Sequence, residues 1–327
     1  MEPGDRETME GLVRALIRAE RLQDAQQQLD RMLLQAPGDQ ELLRLLALSQ
    51  MSLGHDREAL TTYRRAGLSA GEAHLRIGDS ARERHQWRRA RTQYEAGLAA
   101  SPQDARLLDG LGTVLIAETD WRSALEKFRL AAALDSMLAS PFRNIGLVNL
   151  HFHKLPEALA ALERARDLDA EDGKTWDLLG RAYAQGGQTA PAMSAYQRAI
   201  EESPERAELY HNLAVLHQDE GLNREAERLY REAIHRDPAQ VKALYNLGFL
   251  LLAERRWSEA VDIIEELLEK EPANAEAYIN LASAHLNLGD GTAAVTAYER
   301  FLDLHPEDDE TRRKVERQLQ LLLESLD

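Results

Sequence analysis

The 327-residue sequence has no cysteine. That absence excludes a disulfide framework, a thiolate-held zinc or iron–sulfur site, and cysteine nucleophile chemistry. Long apolar runs are missing too. None approaches the roughly 18–20 residues a transmembrane helix requires. No low-complexity tract appears, and 44% hydrophobic with 29% charged residues is the composition of a globular chain. The first residues, Met1-Glu2-Pro3-Gly4-Asp5, are acidic where a secretory signal would be basic, and Arg14 interrupts the stretch from Gly11 to Ile17. A cytoplasmic location is therefore expected, or a periplasmic one if a leader has been removed. Lysine is scarce beside arginine, 6 to 34, which hints at a GC-rich bacterial genome.

Positive charge is in deficit, and unevenly so. The net charge is −16. Residues 1–138 carry 19 basic and 21 acidic side chains, whereas residues 139–327 carry 21 and 35. A field of that sign repels nucleic acid and anionic lipid, so no nucleic-acid partner is expected.

What the sequence does have is repetition. Pro102, Pro204, Pro238, Pro272 and Pro306 fall at multiples of 34 residues. The same period carries Ala90, Ala124, Ala158, Ala192, Ala226, Ala260 and Ala294. A small-residue column runs Gly78, Gly112, Gly146, Gly180, Ala214, Gly248, Ala282, and a bulky one runs Tyr94, Phe128, Leu162, Tyr196, Tyr230, Ile264, Tyr298. Within 173–206, Trp176, Leu179, Gly180 and Tyr183 share one helical face. Gly186-Gly187 breaks that helix, and Ala192, Tyr196 and Ala199 mark the buried stripe of a second one. Pro204 ends it, because proline cannot extend the ladder and bars its predecessor from helical geometry. A recurrent glycine inside a helix costs about 1 kcal/mol relative to alanine, so its repetition signals close packing.

Trp176-x-x-Leu179-Gly180-x-x-Tyr183, then Ala192-x-x-x-Tyr196, then Pro204, resembles the tetratricopeptide repeat signature, with Tyr for Phe at the last aromatic position. The resemblance implies an all-α, right-handed superhelical solenoid of about nine helix–turn–helix repeats plus a C-terminal capping helix. Residues 1–70 would hold two degenerate repeats, with Ala25 and Pro37 in the first and Ala47, Ala59, Tyr63 and Ala66 in the second. Residues 71–308 would hold seven in register, and 309–327 the cap. The unit 40–70 is three residues short, which places a kink or boundary near 67–72.

Catalytic and metal motifs fail on inspection. Gly173-Lys174-Thr175 resembles the end of a phosphate-binding loop, but Leu168 stands where that loop needs glycine. Asp167, Asp169, Glu171 and Asp172 imitate a calcium loop whose closing acid falls on Leu178. His151 and His153 diverge on a helix and cannot share a metal, while His217 and His285 suit half-buried, hydrogen-bonded rings. No cofactor, metal or catalytic activity is expected. The basic segment Arg82–Arg91, with Arg76 and Arg64-Arg65, reads as the wet face of a helix that Trp87 opens, as Trp121 and Trp257 open theirs.

The first helices of a two-helix solenoid line its concave surface. Asn144, Asn212, Asn246 and Asn280 recur there at multiples of 34, interrupted at Leu178. A side-chain amide can match both the carbonyl and the N–H of an extended peptide, and in the family such asparagines grip bound backbone. Arg143, Lys174, Arg181 and Lys242 offer charge for carboxylates, Leu147, Val215 and Phe249 offer apolar contact, and His211 and Tyr245 add amphipathic rings. The family's carboxylate clamp is not completed. The expected function is a non-enzymatic interaction module that binds an extended peptide or partner helix in a groove over 139–308. The alternatives are a self-associating scaffold of a bacterial assembly and a recruiting part of an enzyme complex.

Overall fold

The computed structural model describes residues 3–307 and 309–326. Every regular element among them is an α-helix. Five hairpins come first: α1 (Pro3–Arg18) with α2 (Leu22–Gln35), α3 (Gln40–Ser52) with α4 (Asp56–Arg65), α5 (Ala70–Glu83) with α6 (Trp87–Ala100), α7 (Ala105–Ala117) with α8 (Trp121–Leu134), and α9 (Ala139–His151) with α10 (Leu155–Leu168). Four more follow: α11 (Gly173–Gln185) with α12 (Thr189–Glu202), α13 (Ala207–Asp219) with α14 (Asn223–Arg236), α15 (Val241–Ala253) with α16 (Trp257–Lys270), and α17 (Ala275–Leu288) with α18 (Gly291–Leu304). The last helix is α19 (Glu310–Leu326). The chain forms two compact units, Met1–Asp169 and Ala170–Asp327.

Local chemistry starts and stops each helix. Asp39, Ser69, Asp104, Asp172 and Asn274 accept backbone N–H bonds at the starts of five first helices, satisfying donors the helix leaves orphaned. Each first helix ends in a turn with one residue in the left-handed region. Gly54, Gly187, Gly221 and Gly289 fill it in four hairpins, and Glu20, His85, Thr119, His153 and Arg255 fill it in the other five. The spacing of this column is 34 residues except from Gly54 to His85. There the missing residues come out of α4, which has 10 residues where α6 has 14. Gly67, at φ +87°, closes the short helix as Leu68 N–H bonds Tyr63 O at 3.1 Å and Gly67 N–H bonds Arg64 O at 3.0 Å.

Packing within a hairpin rests on the small column. A Cβ added at Gly180 would stand 2.8 Å from Cδ1 of the Tyr196 ring, and one at Gly112 would stand 2.5 Å from Cε1 of Phe128. Ala90, Ala124, Ala158, Ala192, Ala226, Ala260 and Ala294 are fully buried on the second helices. Among the described residues, first helices of successive hairpins touch at α1 with α3, α3 with α5, α5 with α7, α7 with α9, α13 with α15 and α15 with α17, and within each unit a second helix packs on the first helix that follows it. At the end of the second unit α19 covers α18: Val315 is buried, the Tyr298 hydroxyl donates to Gln318 Oε1 at 2.9 Å, and Arg312 donates to Leu302 O and His305 O.

Gly180→Leu is expected to destabilise the C-terminal unit by about 1–3 kcal/mol through overpacking against Tyr196. Gly180→Ala should cost much less, since Ala214 and Ala282 hold the equivalent positions. Urea melts of both variants check this, and equal loss in the two would contradict it. Thr119→Gly should raise stability by roughly 0.5–1 kcal/mol, because a β-branched residue at φ +65° is strained and glycine is not. The shift in thermal midpoint measures it.

Candidate functional site: the first-helix faces

Residues spaced i, i+3, i+4, i+7 along a first helix share a face. On α13 these are Glu208, His211, Asn212 and Val215; on α15 they are Lys242, Tyr245, Asn246 and Phe249. The second unit presents them beside Lys174 and Arg181 of α11 and Asn280 of α17.

The asparagines divide into two kinds. Asn144 in the first unit is 9% exposed, and its Nδ2 donates to Asp109 Oδ1 at 2.8 Å. Ser140 Oγ donates to the other oxygen of Asp109 at 2.8 Å. Burial pushes the Asp109 carboxyl up, and the bonds from Ser140 and Asn144 and the Arg143 charge oppose that rise. Asn246 makes the same connection in the second unit, its Nδ2 donating to His211 Nε2 at 3.1 Å. Both pairs are 35 residues apart, so these two amides tie adjacent hairpins together. Asn212 bonds its neighbour, with Oδ1 3.2 Å from His211 Nδ1. Asn280 is half-buried and, among the described residues, makes no side-chain bond.

One protonation state of His211 fits both contacts. With the proton on Nδ1, that nitrogen donates to Asn212 Oδ1 and Nε2 accepts from Asn246. Burial, with the Lys242 charge adding to it, holds His211 below the usual histidine range. His217 is lowered too, chiefly by burial, and its Nδ1 is buried without a hydrogen-bond partner. The half-buried, hydrogen-bonded ring expected there is thus a ring with one unsatisfied nitrogen.

Lys174, Arg181 and Lys242 are exposed and, among the described residues, form no ion pair. Phe249 is 53% exposed. Val215 and Leu147 are half-buried, as is Arg143, which engages Asp109 electrostatically. Burial and the adjacent Glu276 carboxylate push Tyr245 up to about 12.

The other sequence features resolve into structure. Thr175 Oγ1 donates to Asp172 Oδ2 at 2.6 Å and Lys174 N–H to Asp172 Oδ1 at 3.3 Å, so Gly173-Lys174-Thr175 is a capped helix start. Most arginines of the basic segment are occupied. Arg89 pairs with Asp56, Arg91 with Glu95 and Glu118, and Arg82 with Asp79, while Arg84 donates to Ser52 O. His151 stacks on Trp121 with centroids 3.9 Å apart. Among the described residues no three His, Asp or Glu side chains gather as a metal would need, and no helix is long and apolar enough to cross a membrane.

Sequence reasoning missed two features. One is the 35-residue pairing, whose signal was a polar residue just before the asparagine column in the preceding repeat. The other is a recess of about 1040 Å³ on the first-helix face of the first unit, floored by Leu45, Leu48 and Met51. Its signal was the short repeat beside it.

A folded-state histidine below its unfolded value favours the neutral form, so its stabilisation is complete above the unfolded pKa, about 6.5, and is lost as pH falls. The second unit should weaken between about pH 7 and 5. His211→Gln, which keeps a donor and an acceptor, should flatten that dependence in urea melts run across the range; an unchanged slope would assign the acid sensitivity to another group.

Three family models describing tetratricopeptide repeats match the chain: one at residues 75–136 and 250–309, one at 217–272 and one at 180–221. Together they cover more than half of it. No curated protein matches significantly. Among solved structures, YrrB, described as a TPR protein with an unusual peptide-binding site, is 20% identical with a TM-score of 0.51, over 56% of this chain and 95% of its own. The Cut9–Hcn1 hetero-tetramer of the APC/C aligns over 98% of this chain and 57% of that one, at 14% identity and a TM-score of 0.53. At such identities the likeness is one of fold, and it agrees with the helical hairpins, the small-against-bulky packing and the repeat models. The chain belongs to the tetratricopeptide repeat family, whose members are generally non-enzymatic modules for protein–protein interaction.

Proposed function

We propose that the second unit binds an extended segment of a partner protein along its first-helix face. The observation that carries this reading is a stripe of unspent groups. Phe249 is more than half exposed, Lys242 lies two helical turns before it, and Lys174 and Arg181 stand on α11 without ion pairs. These cations lie in the acidic part of the chain, where Arg206, Arg231 and Arg256 are each bound to carboxylates. A partner segment with an apolar side chain for Phe249 and acidic residues for the lysines complements the stripe. The amide of Asn280 and the free NH2 group of Asn212, whose oxygen is taken by His211, can hold its backbone. YrrB, which has the same fold, carries a peptide-binding site, and this accords with the reading.

The role of the asparagines narrows accordingly. Asn246 acts mainly through His211, and Asn144 lies buried on Asp109 in the other unit. Phe249 is the anchor.

Phe249→Ala and Lys242→Ala should each leave the melting temperature unchanged while weakening the partner. Burying a phenylalanine is worth about 1.5–3 kcal/mol, so the first change should lower affinity roughly ten-fold or more. Partners captured on the intact chain and identified by mass spectrometry supply the ligand, and calorimetry on the recovered partner gives the comparison. Full affinity in both variants would move the interaction to another face.

A further inference from the structure

The tyrosines of the second helices point to a second site, in the first unit. Tyr94 packs against Gly78 and Gly110, and its hydroxyl emerges beside α5, where it donates to Asp79 Oδ1 at 2.8 Å and accepts from Arg82 Nε at 3.2 Å. Tyr230 and Tyr298 likewise donate to glutamines, Gln218 and Gln318, whereas Tyr196 makes no side-chain hydrogen bond among the described residues and has the charges of Asp177 and Arg181 nearby. Tyr63 is the equivalent residue of the short repeat, 31 positions earlier. It is 4% exposed, and among the described residues its hydroxyl makes no hydrogen bond. The reason lies in the sequence: Leu48 stands where Asp79 would be, and Met51 where Arg82 would be.

Tyr63 instead lines the recess of about 1040 Å³ between α3 and α5, within reach of the Arg76 charge. Leu45, Leu48 and Met51 make its floor. Arg44 and Arg76 stand on its wall, 59% exposed at Arg76 and 51% at Arg44. Their glutamate neighbours are bound more closely by other arginines. Glu41 lies 2.5 Å from Arg14 but 4.0 Å from Arg44, and Glu72 lies 2.8 Å from Arg106 but 3.3 Å from Arg76.

We infer that this recess docks a short segment of a partner protein that carries one carboxylate between apolar side chains. The carboxylate accepts from the Tyr63 hydroxyl and from Arg44 or Arg76, supplying from outside the acceptor that Asp79 provides to Tyr94. The apolar neighbours lie on Leu45, Leu48 and Met51. A single negative charge fits better than a phosphate. Arginines and carboxylates line the recess in equal number, so a dianion would meet Glu41, Glu72, Asp79 and Glu83 with no surplus of positive charge. The inference is independent of the second unit's stripe.

The test uses the full chain and an array of end-blocked hexapeptides with one Asp or Glu among apolar residues, beside matched Asn/Gln and phosphoserine sets. Fluorescence anisotropy then measures the peptides retained. Hydrogen bonds to a charged group contribute about 1.5–3 kcal/mol, so Tyr63→Phe and Arg76→Gln should each weaken binding about ten-fold or more. Tyr63→Phe should leave the melting temperature unchanged or raise it, since the hydroxyl has no internal partner to lose. Phe249→Ala should leave binding intact. Four results overturn the inference: no retained acidic peptide, equal binding of the Asn/Gln set, tighter binding of phosphoserine peptides, or binding that ignores Tyr63→Phe but falls with Phe249→Ala.

Discussion

One contact governs this molecule: a first-helix residue with little or no side chain lying against a large ring or branched chain from the second helix. Gly180 against Tyr196 and Gly112 against Phe128 are instances. The glycine sacrifices helix propensity, about 1 kcal/mol relative to alanine, and the fully buried ring recovers more than that through apolar burial. Because the helices approach so closely, the far end of a tyrosine ring passes beside the first helix and delivers its hydroxyl to the opposite face. The packing rule of the interior thus places polar groups on the first-helix face.

That surface also holds the stack together. Asp109 with Asn144 and His211 with Asn246 join successive first helices through paired polar groups. Such groups serve cohesion first, because breaking a half-buried hydrogen bond leaves an unsatisfied partner behind. The recognition proposed above uses what the stack leaves unused: exposed cations without carboxylates, an exposed phenylalanine, and a tyrosine hydroxyl without an acceptor.

Charge follows the same economy. Arg106 with Glu72, Arg91 with Glu118, Arg206 with Asp177 and Arg256 with Glu227 each span roughly one repeat. Exposed pairs of this kind contribute little individually. Their effect is to neutralise arginines that would otherwise face solvent, which explains why the basic segment around Trp87 presents less free positive charge than its composition suggests.

The repeat architecture was legible in the residues alone. A 34-residue period in proline, alanine, small and bulky columns leaves one physical solution, in which each hairpin buries its apolar stripe against the next. The helix starts at Trp87, Trp121 and Trp257, the break at Gly186-Gly187 and the shortness of the unit 40–70 followed from the same columns. The state of each polar side chain did not. Asn144, Asn246 and Asn280 share one column, yet one is buried on Asp109, one holds His211 and one stands open. The difference depends on which residue of the preceding repeat faces each amide. Tyr63 and Tyr94 are likewise the same letter at the same point of the repeat, yet the packed structure brings Asp79 and Arg82 to one hydroxyl and Leu48 and Met51 to the register of the other. Periodicity fixes where a side chain sits on its helix; hydrogen bonding depends on what the neighbouring helix brings within about 3 Å of it, and that is decided by tertiary packing.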